Sequence, residues 1–212
     1  MSWNADTYHR ISAPQQAWAA EQFERLALQP DEIVLDAGCG SGKVTAQLNA
    51  AKIYAVDGDA NMVEHARAEL DGRATVLHQD LVELDLPEQV DVIFSNATFH
   101  WIKDHEALFR ALYRALKPGG RLVAQCGGKG NIDSLRRVAE QVAADAGIHV
   151  APWNYADVSE TEARLHAAGF SDVKTWLEPK PTTPPAPREF LSTVCLLPYL
   201  SELPEGEREG FI

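Results

Sequence analysis

Positive charge is scarce in this 212-residue chain: 19 lysines and arginines stand against 31 aspartates and glutamates, a formal charge of −12. A surface that acidic repels nucleic-acid phosphate and anionic lipid, which argues against a nucleic-acid or membrane partner. The pair Arg136-Arg137 is too small a basic patch to reverse this. Cysteine is also sparse. Cys39, Cys126 and Cys195 form no C-x-x-C and no metal-ligand spacing, so they read as scattered reduced thiols, and no metal site is expected. No apolar run approaches the length of a membrane span. Met1 to Asp6 has neither the basic start nor the apolar core of a signal peptide, so the expected location is the cytoplasm. No repeat or low-complexity array is evident. What remains is ordinary for a globular domain, with 45% hydrophobic and 24% charged residues.

Against this plain background one run stands out: Glu32-Ile33-Val34-Leu35-Asp36-Ala37-Gly38-Cys39-Gly40-Ser41-Gly42. An apolar strand enters a carboxylate and then a loop with glycine at every second position. A second strand, Lys52 to Val56, ends on Asp57. Glycines let backbone approach a ligand, and an acid after the next strand accepts hydrogen bonds from ribose hydroxyls. Three cofactors compete for such a turn. A triphosphate loop, G-x-x-x-x-G-K-[ST], fails at both ends, since Ala37 stands five positions before Gly42 and Val44 follows Lys43. A dinucleotide loop, G-x-G-x-x-G, fails at its third glycine, where Lys43 stands. The leading Asp36 repels a pyrophosphate and suits a cation. S-adenosylmethionine, with an ammonium, a sulfonium and no phosphate, fits these constraints.

Further motifs follow in order: Tyr54-Ala55-Val56-Asp57-Gly58-Asp59 with Met62, His78-Gln79-Asp80-Leu81, Asp91 to Ala97, and Leu116-Lys117-Pro118-Gly119-Gly120-Arg121-Leu122. With the first loop they resemble the motif set of the class I S-adenosylmethionine-dependent methyltransferases. Trp3 to Tyr8, Ser95-Asn96-Ala97 with His100-Trp101, and the tail Thr193 to Pro204 are similar to the trans-aconitate methyltransferase-like group. The resemblance implies roles. Asp36 would face the methionine ammonium or else cap the loop. Backbone of Gly38, Cys39 and Gly40 would line the methionine part. Asp57, with Gly58 beside it, would hold the ribose. Met62 would pack on adenine or else in the core. Asp80 would accept from the adenine amino group, or else cap the strand end, and the Leu81 amide would donate to the ring. Asn96 and its neighbours would touch methionine and substrate. His100 is the candidate catalytic residue, as base or substrate-orienting group, against a histidine with only local bonds. Trp3 and Tyr8, on an arm folding over the pocket, and Trp101 are the substrate-binding candidates.

The pattern along the chain alternates strands near 32–36, 52–56, 74–78, 90–94 and 120–126 with helices near 43–50, 60–70, 104–116 and 131–146. A helix starts at Ser12-Ala13-Pro14 and ends before Pro30; another spans 159–168. Asp172 to Leu177 reads as a sixth strand. The expected class is α/β, a doubly wound, mostly parallel sheet with helices on both faces. Residues 1–177 would form the cofactor-binding domain with its N-terminal arm. Residues 178–212 would form a proline-rich connector and a helical cap, with Glu189 to Leu197 helical and broken by Pro198. The resembling fold has a seventh strand, antiparallel between the fifth and sixth. No candidate for it follows Leu177, so the chain reads as truncated or partly omitted, and the bare edge suggests a homodimer. The expected activity is methyl transfer to a small molecule, with O-methylation of a carboxylic acid leading. The rivals are a C- or phenol O-methyltransferase of quinone or natural-product synthesis and a non-catalytic cofactor-binding module.

Overall fold

The computed structural model describes residues 7, 10, 13–150, 153–184 and 186–212, the side chains of 13, 14 and 17 excepted. Five strands form one sheet: β1 (Ile33–Ala37), β2 (Lys52–Asp57), β3 (Thr75–His78), β4 (Val90–Asn96) and β5 (Leu116–Gln125). They lie in the order β3-β2-β1-β4-β5, and the pairs within this order are parallel. The first three strands run outward one way and the last two the other. The crevice where the direction reverses opens between the carboxyl ends of β1 and β4.

Both faces of the sheet are covered, which is why adjacent residues such as Val34 and Leu35 are both apolar and both fully buried. Leu35, Tyr54, Val56 and Ile93 pack on one face against Leu108 and Leu112 of α3 (His105–Ala115). Val34, Ile53, Val92 and Phe94 pack on the other against Ala19 and Leu26 of α1 (Ala13–Leu26), with the Phe23 ring 5.2 Å from Phe94. Ala55 joins Val63, Ala66 and Leu70 of α2 (Ala60–Leu70) on that second face. Two of the helices on the sheet start on aspartate side chains: Asp59 caps α2 and Asp104 caps α3. Arg121 of β5 binds both carboxylate oxygens of Glu32 at 2.6 and 2.8 Å and the Leu26 carbonyl at 2.8 Å, fixing the end of α1 to the start of the sheet.

Several expectations need correction. Asp172 to Leu177 is not a strand, and among the described residues the sheet has neither a sixth nor a seventh. Its side chains are held by helices instead: Thr175 donates to Glu162 on α5 (Val158–Ala168) at 3.0 Å, and Arg25 of α1 lies 4.9 Å above the Trp176 ring. Trp176 and Leu177 stay about half exposed. The helix expected near 43–50 shrinks to a 3-10 turn, Thr45–Gln47. Pairing of β5 begins at Leu116 opposite Val90, then an irregularity carries the Pro118-Gly119 turn before Arg121 meets Val92. Helix α4 (Asp133–Asp145) packs less on the sheet than on the C-terminal segment. Its Ala139 and Ala143 share a second apolar cluster with Phe190, Cys195, Tyr199 and Leu203. That segment comprises α6 (Pro187–Phe190), a π-helical turn (Leu191–Cys195), α7 (Leu197–Leu200) and α8 (Glu205–Phe211). Pro198 sits in the first turn of α7, where its missing N–H is harmless, so it starts a helix as well as ending one.

The two kinds of position should separate in urea denaturation. Leu112→Ala, in the sealed layer under α3, is expected to cost about 2–5 kcal/mol. Trp176→Ser, which loses an exposed cation–π contact, should cost no more than about 1 kcal/mol. Equal losses would mean that 172–177 is packed as a sheet element.

Candidate active site

The loop after β1 is held from below and from the side. The Gly38 and Cys39 amides both donate to the Val56 carbonyl, at 2.8 and 3.0 Å. Gly38 has φ +87°, and a Cβ there would lie 2.2 Å from the Thr98 side chain, so both its conformation and its contact require glycine. Thr98 Oγ1 donates to the Gly38 carbonyl at 3.2 Å, and Ser95 Oγ to the Ala37 carbonyl at 2.7 Å, tying the end of β4 to the loop.

Two carboxylates flank this turn. Asp36 is 2% exposed and takes a 2.6 Å hydrogen bond from the neutral Thr45 hydroxyl. Burial pushes its pKa up to about 7; the Thr45 bond opposes the rise and the Asp57 charge reinforces it. Asp57 accepts from the Gly40 amide at 2.8 Å and from the Asp59 amide at 2.9 Å. Burial raises its pKa too, against those two backbone bonds. His78 Nε2 lies 3.1 Å from the Gly58 carbonyl beside it.

A pocket opens over the loop, lined by Asp36, Gly38, Cys39 and Gly40 with Ser41, Lys43, Val44, Phe94, Asn96 and Gln15 of α1. Asn96 Nδ2 donates to the Gln15 carbonyl at 2.9 Å. The side-chain oxygens of Asn96 and Gln15 are buried and have no donor among the described residues. A buried acceptor without a donor is costly; since Asn96 Nδ2 is committed to Gln15, the Asn96 oxygen favours a ligand with N–H groups, and the ammonium of S-adenosylmethionine supplies them. The residues present therefore fit that cofactor.

The structure brings together Asp36, Gly38, Cys39, Gly40 and Asn96, with Asp57 one hydrogen bond away. Met62 is buried in the first turn of α2, its amide capped by Asp59. Asp80 is exposed and caps the 3-10 turn Leu81–Glu83 through the Val82 amide at 3.1 Å, while Leu81 is buried in the main core. These three, with Gly58, follow the carboxyl ends of β2 and β3, beyond the lining of the pocket. Cys39 is a buried thiol whose pKa burial drives far upward, which suits a packing role. Trp3 and Tyr8 lie outside the described residues; Arg10, near them, pairs with Glu189 at the start of the C-terminal segment.

His100 sits in the 3-10 turn Phe99–Trp101, past the end of β4. Its Nδ1 accepts a 3.1 Å hydrogen bond from the Gly127 amide. Burial, then neighbouring His105, pushes its pKa down to about 3, so the ring is neutral near pH 7. It stacks 5.7 Å from Tyr155 and lies 5.2 Å from Trp101. Trp153 and Tyr199 extend this aromatic wall, with ring centroids 6.0 Å apart. Sequence reading missed Gln15, Trp153, Tyr155 and Tyr199. Only Gln15 had a local signal, as a polar residue on the inward face of an amphipathic helix.

Comparison with known proteins identifies the family and agrees with the fold. A family model described as a methyltransferase domain matches residues 35–124. The trans-aconitate 2-methyltransferase of Rhizobium leguminosarum is 30% identical over all of this chain and 87% of its own length. That of Escherichia coli is 32% identical over 99% and 85%. The YcgJ protein of Bacillus subtilis shares the fold with a TM-score of 0.63 at 18% identity, covering 91% of this chain and 86% of that one. The chain belongs to the class I S-adenosylmethionine-dependent methyltransferases, and S-adenosylmethionine is its cofactor. Within that class it is similar to the trans-aconitate 2-methyltransferases.

The buried Asp36 sets a pH dependence of the ligand-free protein. Its folded pKa, about 7, exceeds the ordinary carboxylate value of 3.8. The folded state therefore holds the extra proton between these limits, and the stability linked to Asp36 is full below about pH 4 and lost as pH rises through 7. In urea titrations Asp36→Asn should match wild type near pH 4 and become increasingly the more stable of the two towards pH 8. A constant gap across that range would place the raised pKa elsewhere.

Proposed function

We propose that this methyltransferase esterifies a carboxylate of a small organic acid. The observation that carries the reading is the state of His100. A ring whose Nδ1 already accepts a backbone N–H, and whose pKa lies near 3, does not take up a proton at neutral pH. A phenol, amine or carbon acid needs a base to remove its proton, whereas a carboxylate attacks as it stands. The printed names of the relatives point to the same chemistry, since trans-aconitate is a carboxylic acid.

When bound, S-adenosylmethionine supplies a methyl group on a positively charged sulfur, so that an O–C bond forms as the S–C bond breaks and the electron pair leaves on sulfur. In this reading Asp36, with Gln15 and Asn96, holds the methionine ammonium, and backbone of Gly38, Cys39 and Gly40 lines that end. Asp57, with Gly58 beside it, receives the ribose hydroxyls. Met62, Asp80 and Leu81 border the adenine. His100 and Trp101, with the wall of Trp153, Tyr155 and Tyr199, exclude water and orient the acceptor. The protein's contribution is positioning and desolvation.

A panel of small acids, offered with radiolabelled cofactor, tests the reaction class. The product label should be released as methanol by mild base, as from a methyl ester; base-stable label would point to ether, amine or carbon methylation. With the cofactor saturating, so that Asp36 is already charged, and above the acid's own ionisation, kcat/KM for the acid should stay flat from about pH 6 to 9, and a limb near pH 6.5 would restore a histidine base. Asp57→Ala should weaken S-adenosylhomocysteine by about 1.5–3 kcal/mol, roughly ten- to hundredfold, in calorimetry. Normal affinity would remove the ribose from β2.

A further inference from the structure

The order of the strands acts as a ruler across the site. Under the function proposed above, on which this inference rests, the adenosine end lies over β2 and β3, and the methionine end lies over β1 and β4. Parallel strands are spaced about 4.8 Å apart, so the next position along the line, where the methyl acceptor must lie, is the carboxyl end of β5. That end is Gln125.

Gln125 stands in register with Asn96, and the Ala97 amide donates to its backbone carbonyl at 2.7 Å. Val123, two residues earlier, packs in the same cluster as Phe94, two residues before Asn96. The period of a strand therefore puts the Gln125 and Asn96 side chains on the same face, the one that α1 crosses. The Gln125 side-chain oxygen is buried and has no hydrogen-bond partner. Since nothing among the described residues fixes that oxygen, a half-turn of the terminal amide presents its NH₂ group in the same place, and a ligand decides which is used. Two residues on, Gly127 holds the neutral ring of His100.

We propose that the side-chain amide of Gln125 is a specificity-determining residue that donates an N–H to one oxygen of the acceptor carboxylate, leaving the other oxygen to attack. A neutral donor suits this task. An arginine would bind the ground-state carboxylate more strongly, and that attraction weakens as the charge is lost on methylation, so the gain in binding would be a loss in rate. Lys129, the basic side chain soonest after β5, is bound to Asp157 at 3.3 Å.

Gln125→Leu and Gln125→Glu test this against wild type, with trans-aconitate and a panel of small mono- and dicarboxylic acids as acceptors. The readouts are acceptor KM and kcat, and S-adenosylhomocysteine affinity by calorimetry. Gln125→Leu should raise KM for the acid about tenfold. Gln125→Glu should lower kcat/KM further by charge repulsion. S-adenosylhomocysteine affinity should stay within about twofold in both. Gln125→Leu decides the matter if the added charge of Gln125→Glu prevents folding. Unchanged acceptor kinetics would overturn the assignment, as would a parallel loss of S-adenosylhomocysteine affinity, which would move Gln125 into the cofactor site. Wild-type turnover of an acid with insensitive variants removes Gln125 alone. Wild-type inactivity on every acid removes the carboxylate reading and this assignment with it.

Discussion

The constraint on which this site depends is the burial of two carboxylates at the carboxyl ends of neighbouring strands. Asp36 ends its hydrogen-bonding reach on a neutral hydroxyl, and Asp57 on two backbone amides. Neither arrangement fully offsets the cost of taking a negative charge out of water, and both pKa values rise in consequence. The turn between them cannot relax the strain by moving, because Gly38 is bound to Val56 and wedged against Thr98. A protein that keeps two acids in this state has built a place for a cationic, hydroxyl-bearing ligand. S-adenosylmethionine carries both features.

The sheet converts this local chemistry into a linear arrangement. Central β1 and β4 carry the pocket beside Asp36 and Asn96, β2 and β3 lie to one side of it, and β5 forms the outer edge; in the proposed reading these are the reacting end, the adenosine end and the acceptor side. Helix α1 lies across β4 and delivers Gln15 to the pocket, so the N-terminal part of the chain is joined to the site through Asn96 as well as through packing. The C-terminal helices join the aromatic wall beside His100 through Tyr199, whose ring lies 6.0 Å from that of Trp153. Their shared cluster with α4 gives this wall its own apolar support, separate from the main core.

Much of this was legible in the sequence because it depends on short-range chemistry. The five strands, the glycine loop, Asp36 and Asp57 each carry a local signal: an apolar run, a glycine spacing, an acid at a strand end. Asp172 to Leu177 carries the same kind of signal and still forms no strand. A strand needs a neighbour, and here Glu162 and Arg25 take up Thr175 and Trp176 instead. The turn at 45–47 shows the same effect for a helix, since Leu48 is already extended and the helical spacing is not carried on to residue 50. Gln125 was invisible as a site residue because nothing in its neighbours along the chain marks it, and Gln15 had only its place on the inward face of a helix. Only the pairing of β4 with β5 and the crossing of α1 bring their amides to one edge. The neutrality of His100 was equally hidden, since it comes from burial and from the distant amide of Gly127.

The most direct test of the buried-carboxylate account is a proton inventory of cofactor-product binding. S-adenosylhomocysteine is titrated into the protein near pH 7 in buffers of different ionisation enthalpy. The account predicts binding with net release of a fraction of a proton, because the incoming ammonium returns Asp36 to its charged form, and it predicts that Asp36→Asn abolishes the release. Binding with no proton release, or release that survives Asp36→Asn, would contradict it.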